Sequence, residues 1–169
     1  MASDRRVAVA ALQGRQFTFT SDQAWATYWA KVLDALAGRG VRLAVLSGNP
    51  GWDEVWDGPI AKAGELAARF GLWLVADVGP QREEDGRTFP CLHVFADDGR
   101  LVGVQRQIHL SRDERAVMFS AGEALRVFES PAGTLGLLVG ADVRVPEVSR
   151  ALTLLGADIL VHVGALHDP

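Results

Sequence analysis

Three apolar runs, "RVAVAALQG", "VRLAVL" and "LWLVADV", are separated by two segments whose apolar residues recur at helical spacing. That order is restrictive. Consecutive parallel strands need a crossover and a helix is the usual one, so the first half of the chain reads βαβαβ. In the first helical segment Ser21-Asp22 offers an N-cap, Trp25, Trp29, Val32, Leu33 and Leu36 fall at helical spacing, and Gly38 and Gly40 stop the helix. The second runs over 59–70, with Pro59 at its start and Gly71 just past its end. Between the second strand and this helix lies "SGNPGWDEVWDG", a Gly/Pro/Asp/Trp loop.

From residue 91 the pattern changes to paired strands. "CLHVFADDGRLVGVQR" turns at Asp97-Asp98-Gly99, and "LRVFESPAGTLGLLVG" turns at Pro131-Ala132-Gly133. The preceding "GPQREEDGRT" reads as a loop whose charges, 82–85, face solvent. The stretch "TLGLLVGADVRVPEVSRALTLLGADILV" reads as a strand, a tight turn at Gly140-Ala141-Asp142, a helix over 145–155 opened by Pro146, and a second strand, "ADILVHVG". The expected class is α/β, in a single domain over 1–169.

The chain is 49% apolar, which suffices for a real core in one soluble domain. Net charge is −4 and the 17 basic residues form no cluster that could track a phosphate backbone, so nucleic acid is not an expected partner. The apolar run at 7–12 is too short for a signal h-region and no stretch reaches membrane-spanning length, so the expectation is a cytoplasmic protein with no membrane partner. The single cysteine, Cys91, excludes an internal disulfide and a multi-cysteine zinc site. Cys91 and His93 share a strand face and can be imagined with His109 as metal ligands, but lone Cys and His residues are more commonly packed in cores. Neither a metal nor a cofactor is expected. The chain has no P-loop, G-x-G-x-x-G, G-x-S-x-G or H-E-x-x-H motif.

Read together, "VAVAALQG", "DALAGRGVRLAVL", "AARFGLWLVADV", "HVFADDGRLVGVQRQIHL" and "FSAGEALRVFESPAGTLGLLVGADVRVPEVSRALTLLGADILV" resemble the nitrilase superfamily of carbon-nitrogen hydrolases. The resemblance implies an αββα four-layer sandwich. It also implies strands and helices beyond "ADILVHVG", so the second sheet is expected to be incomplete at its C-terminal end, with an exposed edge. The family's chemistry rests on a cysteine nucleophile, a glutamate base and a lysine that steadies the oxyanion. The Cys-Tyr-Asp-x-Arg-x-Pro-Glu elbow is matched here by residues 140–147, putting Gly140 at the nucleophile. The Arg-Lys-x-His-Leu segment is matched by 106–110, putting Gln107 at the lysine. The glutamate falls on Gly48 in ungapped register, or is deleted if "LSGNP" matches a downstream Leu-Thr-Gly-Tyr-Pro. Lys31 and Lys62 lie on helices remote from these positions, so neither they nor Cys91 refill the triad.

No catalytic residue is therefore expected at Gly48, Gln107 or Gly140. The plain alternative for the elbow is a strand-to-helix turn in which Gly140 permits a tight bend. The expected function is that of an inactive nitrilase-superfamily homologue with a binding, regulatory or assembly role. The alternative is a carbon-nitrogen hydrolase acting on amide or nitrile bonds through unrecognised residues. Candidate pocket residues are Glu114, Asp142, Arg144, His162 and Trp52, with His167 and Trp56 nearby in sequence. Asp142, Arg144 and Glu147 are expected to brace and cap the helix after the elbow, and Glu114 to be a solvated loop charge. A cavity left by the lost side chains would suit a small anionic or amide ligand. The apolar helix at 145–155 and the unfinished sheet edge imply a homodimer, or assembly with an active relative.

Overall fold

The computed structural model describes residues 7–14, 19, 21–47, 58–116 and 119–164. In chain order these form β1 (Ala8–Gln13), α1 (Asp22–Asp34), β2 (Val41–Ser47), α2 (Gly58–Phe70), β3 (Trp73–Ala76), β4 (Gln81–Arg82), β5 (Thr88–Phe89), β6 (Cys91–Phe95) and β7 (Leu101–Arg106). There follow α3 (Arg112–Ala116), β8 (Val127–Ser130), β9 (Gly133–Val139), a 3-10 turn (Gly140–Arg144), α4 (Pro146–Leu154) and β10 (Ile159–Val163).

One sheet has the strand order β1-β2-β3-β6-β7. Its first three strands are parallel, crossed over by α1 and α2, and the β6–β7 hairpin is added antiparallel to β3. The second sheet runs β10-β9-β8, with β10 parallel to β9 across α4 and β8 antiparallel to it.

The sequence shows why each layer packs. Ser21 caps α1, its Oγ accepting from Ala24 N at 3.1 Å, and Trp25, Trp29 and Leu33 recur every four residues, which places them on one buried face. With Ala63, Leu66 and Ala67 of α2 they cover Leu46, Leu74, Ala76 and Phe95 on the outer side of the first sheet. The alternate residues Leu43, Val75, Leu92 and Val94 turn inward against Phe128, Leu135, Leu137, Val139, Val161 and Val163 of the second sheet. Each such side chain, fully buried, contributes about 1.5–3 kcal/mol of transfer free energy. Val148 and Leu152 of α4 close the far side against Leu138. The result is helices, sheet, sheet, helix, as the resemblance implies. Among the described residues, no helix is long and apolar enough to cross a membrane.

Two expectations need correction. The charges at 82–85 do not simply face water, because β4 and β5 pair as a short ribbon and Glu83 binds both Arg106 (2.6 Å) and Arg87 (2.7 Å). Arg106 also lies 4.0 Å over the Phe89 ring, so the ribbon is fastened to the end of β7. The elbow is not an immediate strand-to-helix step either, since a 3-10 turn intervenes and α4 begins at Pro146.

Candidate functional site

The parallel strand β9 ends at Val139, and Gly140 turns the chain with φ +49° into the 3-10 turn. That conformation costs a residue with a Cβ and is ordinary for glycine. Two residues on, the wholly buried Asp142 reaches across to the segment after β7. Its Oδ1 accepts from His109 N at 2.7 Å, both its oxygens lie near Ile108 N at 3.1–3.2 Å, and His109 Nδ1 stands 3.3 Å away. Asp142 is therefore a clamp and not a helix cap: the N-cap of α4 is Val145, with no side-chain hydrogen bond. Arg144 closes the 3-10 turn and Glu147 lies in the first turn of α4, both exposed.

The clamp fixes Gln107, buried at the end of β7. Its backbone N–H donates to Pro90 O (2.8 Å), and Nε2 donates to His109 O and to Glu114 Oε2, both at 2.8 Å. Glu114 is not a solvated loop charge. It sits half-buried on α3 and its Oε2 also accepts from Ser111 N at 2.6 Å, while Ser111 Oγ accepts from Glu114 N at 3.2 Å. This is a capping box, and its Ser-x-x-Glu signature was present in "SRDE". With both N–H bonds directed to one side, Gln107 Oε1 points at Gly140. It has no hydrogen-bond partner among the described residues. A Cβ at Gly140 would lie 2.8 Å from that oxygen.

The other side is closed too. A Cβ built on Gly164 would lie 2.6 Å from Gly140 Cα, and His162 Nε2 donates to Gly140 O at 3.1 Å. Gln107, Glu114, Gly140, Asp142 and His162 thus converge, with the Gln107 amide set against Gly140 in the region where a small cavity was expected. Gly48, Trp52, Trp56 and His167 lie outside the described residues. Just before them, Ser47 Oγ donates to Leu12 O (3.0 Å) and accepts from Gly14 N (3.3 Å), which ties the end of β2 to β1.

Cys91 and His93 form a separate, buried pair, with Sγ 4.0 Å from Nδ1. His109 is at Asp142 instead of beside them. Among the described residues no group of three or more His, Cys, Asp or Glu side chains could hold a metal ion. Burial, with the nearby Asp77 charge, pushes the Cys91 thiol up to about 12, and burial alone takes His93 down to about 4. The half-buried Asp77, its Oδ1 accepting from Gly79 N at 3.3 Å, is raised to about 6 by desolvation.

His93 and Asp77 make opposite pH contributions. His93 binds a proton more readily unfolded than folded, so its contribution is full above about 6.5 and is lost as pH falls towards 4. Asp77 binds a proton more readily folded, so its contribution is full below about 3.8 and is lost as pH rises towards 6. Each spans about 3 kcal/mol, and the sum is nearly level. Urea unfolding between pH 4 and 6 is expected to show stability falling with rising pH in His93→Phe and falling with decreasing pH in Asp77→Asn. Identical slopes in both variants and the parent would contradict these environments.

Two stacked sheets flanked by helices, with a strand-turn-helix elbow facing the end of β7, define the nitrilase fold. The carbon-nitrogen hydrolase family model matches residues 8–168, and the chain belongs to that family. It is 30% identical over 111 residues to an omega-amidase of Danio rerio, aligning 61% of this chain with 40% of that protein. A probable nitrilase of Schizosaccharomyces pombe is 34% identical over 109 residues, which are 62% of this chain and 39% of the relative. The chain thus spans about two fifths of the length of these relatives. A solved carbon-nitrogen hydrolase of Helicobacter pylori superposes with a TM-score of 0.82 at 26% identity, over 93% of this chain and 59% of the other. An amidase of Nesterenkonia, solved with acrylamide added to its active-site cysteine, has the same fold, with a TM-score of 0.84 at 20% identity over 96% and 68%.

Proposed function

We propose that this chain is a non-catalytic carbon-nitrogen hydrolase homologue, a cytoplasmic assembly or regulatory protein in which the former reaction centre serves as a structural brace. The observation that carries this reading is the Gln107 amide held against Gly140. Amide hydrolysis through the family chemistry needs a thiolate at 140 and a cation at 107. Here the first position has no side chain, and the second is a neutral amide whose N–H groups are already bound to His109 O and Glu114. Cys91 offers no substitute, because a buried thiol raised to about 12 supplies almost no thiolate at neutral pH. The partner is a second copy of the chain or an active relative.

The test combines turnover with thiol labelling. Purified protein is expected to release no ammonia from ω-amides, nitriles or N-carbamoyl compounds, and Cys91 is expected to react with maleimide only on unfolding. Turnover that persists in Cys91→Ala and copurifies with the protein through a final sizing step would overturn the reading.

A further inference from the structure

We draw no further inference here: the strongest candidate, the charged groove between α1 and α2 lined by Lys31, Lys62 and Arg69, selects no ligand, because Lys62 is paired with Glu65 at 2.8 Å while Lys31 and Arg69 stand in the last turns of their helices, where a cation offsets the helix dipole.

Discussion

Asp142→Ala is expected to lower the unfolding free energy by about 3–5 kcal/mol, the largest single-residue effect in the elbow region. The carboxylate is wholly buried and accepts from two consecutive backbone N–H groups, Ile108 and His109, with the His109 ring at 3.3 Å. Alanine leaves both amides without an acceptor and releases the segment that positions Gln107. Asp142→Asn keeps one oxygen for this pair and is expected to fall between alanine and the parent. Urea titration supplies the measurement: the midpoint should drop with little change in slope, because the surface exposed on unfolding stays the same. A loss below about 1 kcal/mol in alanine would mean that water replaces the carboxylate and that the clamp is unnecessary.

Gly140→Ala is expected to cost about 2–5 kcal/mol from two separable sources. The left-handed backbone at φ +49° penalises any Cβ by about 1–2 kcal/mol. Crowding against Gln107 Oε1 at 2.8 Å adds about 1–3 kcal/mol, because the amide that must move is held by two hydrogen bonds. A double-mutant cycle separates them. With Gln107→Ala the obstacle is gone, so the pair should be less damaging than the sum of its singles by about 1–3 kcal/mol. Additivity within about 0.5 kcal/mol would show that the amide swings aside freely and that Gly140 is retained for its backbone alone.

The fold was legible because its signals are local. Ser21 as a cap, Gly71 past α2 and the Asp97-Asp98-Gly99 turn each act within a few residues, and the structure keeps all three in the expected places. The βαβαβ order then left few ways to stack the layers. The site was half legible: the matched segments located Gln107 and Gly140, but not what fills the space between them. The Asp142 clamp joins residues 33 and 34 positions apart and has no spacing signature. The β4–β5 ribbon has two residues in each strand, too few to show an alternation. Glu114 carried a legible local signal, since its capping box with Ser111 is written in "SRDE".

The contact between Gln107 and Gly140 also sets an order on sequence change. Any side chain arriving at 140 meets the amide first, so a lineage could refill that position only after residue 107 had already shortened or turned away. A mutation at 107 alone would in turn unsettle Glu114, which shares its carboxylate between the Gln107 amide and Ser111 N. Homologues in which 140 carries a side chain should therefore differ at 107 as well.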